Sequence, residues 1–327
     1  MLRALAASAG ALIALALSGA GQAQPAAAFP SKPVRVVVPQ ATGGATDIQA
    51  RLFAAKMSQA LGQQFIVDNR AGGGAAAVVA FSTVARANPD GYTLLAVIPS
   101  FTFSPALYPG YPVDPLKDFA PVSLLTRAPY LLVVNPSLPA ASVKELIALA
   151  RAKPGTLNFG AGNSGSGTHL VTLWFFSAAR VSAVYVPYRS VGLATLDLVG
   201  GRLDATLANV LSIGHYVKSG KLRALGISTA RRARALPELP TIAEQGAPGY
   251  NASTFHGYVA PAGTPAAIVE KLSAEFAKVV HAPDVADRLS ADGGEVVGST
   301  PPEFRKLIAE ETAIWKRVIR ESGVAGE

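Results

Sequence analysis

The sequence predicts an α/β fold in two lobes, each a mostly parallel sheet flanked by helices. Three observations carry this expectation. Short β-branched runs alternate with helical stretches at the spacing of right-handed βαβ units. A strand–glycine turn–helix plan occurs in both halves of the chain. And 327 residues at 50% hydrophobic composition can bury two cores. In open sheets of this kind ligands sit beyond the carboxyl ends of the strands.

Val34–Val38 is a β-branched run stopped by Pro39, the pattern of a buried parallel strand. The turn 39–47 leads to a helix that ends at Leu61 before Gly62. There Thr46-Asp47-Ile48-Gln49 matches a capping box, with Thr46 as cap, Gln49 reaching back and Asp47 complementing the helix dipole. Gln64–Asp68 is the next strand, Asn69–Gly74 a second glycine turn, and a small-residue helix follows through Arg86. Asn88-Pro89-Asp90-Gly91 marks a turn before the strand Tyr92–Ile98. Segments 40–46, 69–74 and 99–104 then share one rim, with Ser100 facing the ligand.

Pro105–Pro121 reads as a surface loop, and Val122–Thr126 and Tyr130–Asn135 as two strands that carry the chain into the second lobe. Ser142-Val143-Lys144-Glu145 caps a helix ending before Pro154-Gly155. Strands at 183–186, 205–208 and 222–228 alternate with helices at 193–199 and 213–218. Phe255–Ala260 brings the chain back. Helices then start at Pro265, Pro283 and Thr300, the last reaching Arg320. Phe304, Leu307, Ile308, Ile314, Trp315 and Val318 form its core stripe, and Glu310-Glu311 its solvated face. The expected division is 29–126 with 255–327 for one lobe and 127–254 for the other.

The chain is organised around Asn158–His169, between a strand ending at Phe159 and a helix from Leu170. Gly160, Gly162, Gly165 and Gly167 let the backbone fold tightly so that several N–H groups point at one spot. Ser164, Ser166 and Thr168 add hydroxyl donors, and the helix start adds a positive dipole end. With no charged residue in the stretch, it suits capture of a carboxylate or other small anion without covalent chemistry. Enzyme motifs fail here. The dinucleotide fingerprint lacks its downstream acid, the phosphate loop lacks its Lys, and the nucleophile elbow has Ser166 in place of its second glycine.

Formal charge is 29 − 21 = +8, dispersed apart from Arg231-Arg232-Ala233-Arg234, which argues against nucleic-acid binding. The absence of cysteine removes disulfides, thiolate metal sites and cysteine nucleophiles. His215 and His281 have no metal-ligating neighbour at helical spacing, and no cofactor is expected. Met1-Leu2-Arg3, the apolar run Ala4–Leu17 and small residues up to Ala23 or Ala28 read as a secretory signal peptide over 1–28, implying a periplasmic location.

The motifs Phe29-Pro30-Ser31-Lys32-Pro33, Gly43-Gly44-Ala45-Thr46-Asp47, Asp68-Asn69-Arg70 and Pro89-Asp90-Gly91-Tyr92-Thr93-Leu94-Leu95 follow one another in order. So do Lys117-Asp118-Phe119-Ala120-Pro121-Val122, Val186-Pro187-Tyr188, Gly220-Lys221-Leu222-Arg223 and Ala260-Pro261-Ala262-Gly263-Thr264-Pro265. Together they closely resemble the Bug family, the extracytoplasmic solute receptors of tripartite tricarboxylate transporters. The resemblance implies a two-lobed periplasmic binding protein, type II-like, that closes on a small di- or tricarboxylate and presents it to a two-component membrane permease. A monomer with no nucleic-acid partner is expected. Carried over, the resemblance places the ligand between Thr42, Gly43, Gly44, Thr46 and Asp47 in the first loop and Gly162, Asn163, Ser164, Gly165, Ser166, Thr168 and His169 in the second. Tyr188 and Asn209 complete the expected wall. The chain departs from the family at Gln40-Ala41-Thr42, Ala208, Ser190 and Phe255-His256, which bears on the identity of the acid and not on its class. Two other readings stand beside this one: an exported serine hydrolase using Ser164 or Ser166 with His169, and a ligand-sensing partner of a membrane signalling protein.

Overall fold

The computed structural model describes residues 29–40, 42, 45–70, 77–233, 235–291 and 294–324. The expected signal segment and Gly43 and Gly44 lie outside them. In the first sheet β1 (Val34–Val38) lies between β2 (Phe65–Asn69) and β3 (Thr93–Val97), parallel to both. Helices α1 (Ala45–Leu61) and α2 (Ala77–Ala85) make the crossovers. Val34, Val36, Val37 and Val38 are all buried, as the continuous β-branched run requires.

The helix α1 departs from the capping box expected at its start. It begins at Ala45, so Thr46 sits inside the first turn, and Gln49 turns away to accept a hydrogen bond from Thr126 Oγ1 at 3.4 Å. Ser100–Leu107 forms α3 where the sequence suggests a loop beginning at Pro105. Phe101, Phe103 and Leu107 are buried there, and their packing overrides the helix-breaking proline.

The chain changes sheet through β4 (Phe119–Val134), one strand of 16 residues where the sequence suggests two. Arg127-Ala128-Pro129 interrupts the apolar pattern without ending the strand. Up to Pro129 it pairs antiparallel with β9 (Ser253–Pro261). From Tyr130 it pairs antiparallel with β7 (Ala205–Asn209) and β8 (Arg223–Ile227). Register shifts at Pro121/Ser123 and Leu124/Thr126 coil it enough to serve both sheets.

In the second sheet β5 (Asn158–Ala161) lies between β6 (Val184–Pro187) and β7, parallel to both. Around it stand α4 (Val143–Ala152), α5 (Gly167–Ala179), α6 (Val191–Val199) and α7 (Val210–Lys218). The return strand β9 also pairs with β3. It is followed by α8 (Ala266–Val280), α9 (Pro283–Ala291), the short β10 (Glu295–Val296) and α10 (Pro301–Ser322). Both sheets are mixed: parallel at their outer βαβ parts, antiparallel where the outgoing and returning strands meet.

Two helices hold the lobes together. Phe304 and Ile308 of α10 pack in the first-lobe core, whereas Trp315, Val318 and Ile319 of the same helix pack in the second. Phe101 and Phe103 of α3 divide likewise. The capping box expected at Thr300–Glu303 is formed, with the Thr300 amide donating to Glu303 Oε2 at 2.9 Å. One reading of this helix needs correction. Glu311 is not solvated but 4% exposed, because 304, 308, 311, 315 and 318 recur at helical spacing and face inward together.

Candidate functional site

The β5–α5 loop is pinned by its own side chains. The Gly162 amide donates to Thr168 Oγ1 at 2.9 Å, and its carbonyl accepts from Tyr185 Oη at 2.5 Å. Ser166 is the N-cap of α5, accepting from the His169 amide at 3.2 Å. Gly165 has φ +75°, and a Cβ there would meet Tyr108 Oη at 2.8 Å, so this turn requires glycine. Its amide donates to His169 Nδ1 at 3.0 Å. The His169 ring is buried and stacked on Tyr185 at 3.9 Å, and burial lowers its pKa to about 4, which keeps it neutral. The nitrogen that would take a catalytic dyad's orienting carboxylate is thus occupied by a backbone amide.

On the other side, the β1–α1 turn is braced by a polar ladder. Asp47 is 2% exposed; its Oδ1 accepts from Asn69 Nδ2 at 2.9 Å and its Oδ2 from Arg51 Nε at 3.1 Å. Asn69 Nδ2 also donates to the Gln40 carbonyl at 3.0 Å, and Thr42 Oγ1 donates to Asn69 Oδ1 at 3.3 Å. This network ties Gln40, Thr42 and Asp47 to Asn69, and the Gln40 side chain lines the cavity and accepts from the Thr46 amide at 3.4 Å.

Between the two loops lies a cavity of about 330 Å³. That is the space of about eleven waters at ~30 Å³ each, suited to a small acid rather than a polymer. Of the expected ligand-binding residues, Thr46, Ser100, Gly162, Asn163, Ser166, Thr168 and Asn209 line it. Thr42, Asp47, Ser164, Gly165, His169 and Tyr188 do not. Asp47, Gly165 and His169 instead brace the two loops, Ser164 is exposed, and Tyr188 Oη donates to Asp197 Oδ2 at 2.7 Å. Gln40, Ser190 and His256, positions where the chain departs from the family, also line the cavity, together with Arg189. Gln49, Thr126, Tyr130 and Thr254 were not anticipated. Most of these sit on the crossing strands or beside them, where long-range pairing, not local pattern, brings them to the wall.

Residues at the starts of five helices meet here: Thr46, the second residue of α1, and the first residues Ser100 of α3, Gly167 of α5, Val191 of α6 and Val210 of α7. Each start brings the positive end of a helix dipole, about half a charge, while several first-turn amides are already engaged, that of Thr46 by Gln40, that of Phe101 by the Ile98 carbonyl and that of His169 by Ser166. Among the described lining residues there is no Asp or Glu, and Arg189 is the one cation. His256 is lowered to about 4 by burial and so adds no charge near neutrality. Asn209 precedes α7 without capping it, and its buried Oδ1 has no hydrogen-bond partner among the described residues, leaving an acceptor at the wall. Fixed helix dipoles and Arg189 thus favour an anion at this wall.

A family model described as the tripartite tricarboxylate transporter family receptor matches residues 49–324. BugT of Bordetella pertussis is 35% identical over 317 residues, covering 96% of this chain and 97% of that protein. A protein of Pseudomonas sp. is 39% identical over 311 residues, covering 94% of this chain and 92% of its own. Among solved structures, an R. palustris protein with adipate has a TM-score of 0.76 at 36% identity, covering 91% of this chain and 99% of that one. MatC from Rhodopseudomonas palustris with bound malate has a TM-score of 0.74 at 33% identity, covering 89% and 100%. Among the described residues no helix is long and apolar enough to cross a membrane.

Proposed function

Because the chain belongs to the tripartite tricarboxylate transporter family of receptors, we propose that its cavity captures a small di- or tricarboxylate in the periplasm for delivery to a two-component membrane permease. The observation that carries this reading is the meeting of five helix starts on a cavity with no acidic residue among its described lining residues. One carboxylate sits at the start of α5, on its first-turn amides and the Ser166 and Thr168 hydroxyls. Thr46 and Gln40 approach from the opposite lobe, so closure completes the grip. Arg189 meets a second carboxylate toward the mouth, and Asn209 Oδ1 accepts from a hydroxyl where the acid carries one. The relatives solved with adipate and with malate support an acid of this size.

Closure of the lobes, divided near 127 and 254, is favoured only by the extra contacts the ligand makes in the closed state. The residues of the glycine loop hold and do not attack: Ser166 caps a helix, and His169 Nδ1 is taken by the Gly165 amide. Residues 1–28 act as the export signal, and the mature chain works as a monomer.

Thermal denaturation with mono-, di- and tricarboxylates, and with the matching diamides and diamines, tests the reading. At a hundredfold excess over Kd a ligand adds about 2.7 kcal/mol, which raises Tm by about 4 °C. Stabilisation by diacids and not by diamines is expected. Stabilisation only by cations or neutral sugars would overturn it.

A further inference from the structure

We infer that Glu311 is a proton-binding site linked to the cavity, so that the receptor takes up a proton together with its anionic ligand. The inference rests on the reading of the cavity as an anion site and goes beyond it to how that site is regulated.

Glu311 lies on α10 in the stretch that joins the two lobes and is 4% exposed. Its Oε2 accepts a hydrogen bond from Trp315 Nε1 at 2.9 Å. The Trp315 ring packs edge-on against Phe103 at 5.9 Å, and Phe103 lines the cavity. Tyr130 also lines the cavity, and its phenol interacts electrostatically with the Glu311 charge. The hydrogen bond to Trp315 and the packing of that ring on Phe103 place the carboxyl one side chain behind the cavity wall.

The groups around it do not neutralise it fully. From β4, Arg127 attracts it, but the Arg127 Nε and Nη2 are both engaged by Ser253 Oγ at 3.1 and 2.8 Å. From β4 as well comes Tyr130, which also faces Tyr250. On its own helix Glu310 repels it while pairing with Lys306 at 3.9 Å. The side chains from α3 and α5 packed on Trp315 are the uncharged Phe103 and Trp174. Burial outweighs the help from Trp315 and Arg127 and raises the carboxyl to about 7.

An anion entering the cavity brings a negative charge close to this carboxyl through a wall of low polarity, which favours the protonated form. By reciprocity the protonated receptor binds the anion more tightly. His256, which lines the cavity, and His169, which braces its glycine loop, are both held near 4 by burial, and Tyr130 is pushed above its ordinary value. They keep one charge state across the neutral range while Glu311 changes its own.

The test is titration calorimetry of the full mature chain with the strongest binder among malate, adipate and citrate, between about pH 6.5 and pH 8.5, where such carboxylates are largely ionised. Each pH is run in buffers of different ionisation enthalpy, which counts protons taken up per ligand bound. The wild type should lose about five- to tenfold in affinity across that range and take up a fraction of a proton at its upper end. E311Q, which keeps an acceptor for Trp315, should bind with no proton uptake and no pH dependence. W315F removes the hydrogen bond to the charged form and should move the midpoint to higher pH. If an acid binds with pH-independent affinity and no proton uptake, or if E311Q keeps the uptake, this inference is wrong while the anion site stands. If none of the acids binds at any pH, the anion site itself fails and the linkage with it. Should E311Q not fold, the wild-type proton count and the W315F midpoint decide.

Discussion

Gly162→Ala puts the most direct stress on the glycine loop. A Cβ at this position would stand 2.8 Å from Ser166 Oγ, 3.0 Å from Thr168 Oγ1 and 3.2 Å from Ser166 Cβ. The backbone of Gly162 carries no positive φ, so the cost comes from those contacts alone. Both hydroxyls are already committed: Ser166 caps α5, and Thr168 Oγ1 accepts from the Gly162 amide. Turning Ser166 aside forfeits its cap, about 1 kcal/mol, and displacing Thr168 forfeits one hydrogen bond, about 1 kcal/mol more. Stability should fall by about 2 kcal/mol, lowering Tm by about 3 °C. In the proposed binding mode the same hydroxyls hold the ligand, so affinity for the acid should drop at least about tenfold, equivalent to ~1.4 kcal/mol. Urea unfolding measures the first quantity and titration calorimetry the second. Binding within twofold of wild type, with the variant fully folded, would refute the idea that this loop holds the ligand.

Other outcomes follow from separate parts of the molecule. Gly257→Ala sets a methyl 2.6 Å from Phe304 Cζ and 2.7 Å from the Ser123 carbonyl, where β9, β4 and α10 meet; overpacking there should cost about 1–3 kcal/mol in urea unfolding. Arg189→Ala should weaken a dicarboxylate by about fivefold, in keeping with an exposed charge pair, and leave its monocarboxylate analogue unchanged; calorimetry of the two acids separates the cases. Glu311 gives a stability effect of definite sign. Its native pKa is raised from 4.5 to about 7, so its contribution is fully present below 4.5 and is lost as pH rises through 7. Glu311→Gln should therefore gain on the wild type by at most about 3 kcal/mol above pH 8 and show little difference near pH 4, as read by denaturant unfolding at each pH.

Much of the fold was legible because local signals agreed with the tertiary structure. Val34–Val38 is β-branched throughout and is bounded by prolines. Thr300-Pro301-Pro302-Glu303 combines a capping box with prolines in the first turn, and α10 starts there. The crossing strand β4 was less legible. An arginine and a proline inside it imitate a break, and only pairing with β9 and then with β7 shows it to be continuous. For the same reason Thr126, Tyr130 and Thr254 gave no local sign of facing a cavity. Glu311 illustrates a different gap. Two adjacent glutamates look alike in the sequence, but counting by threes and fours from Phe304 puts Glu311 on the buried stripe and Glu310 off it. At Asp47 the residue type suits a helix start, a salt bridge or a ligand contact. The Asn69 and Arg51 bonds that engage it come from the next strand and the next turn of its helix.

The central claim is that amide and hydroxyl dipoles from both lobes clasp a small acid. A crystal structure of the mature chain with the dicarboxylate that stabilises it most would test this. A carboxylate oxygen should lie about 2.7–3.2 Å from the first-turn amides of α5 and from Ser166 or Thr168, with Thr46 closing from the opposite lobe. An acid bound outside the cavity, or inside it with its carboxylates turned away from the start of α5, would contradict the account.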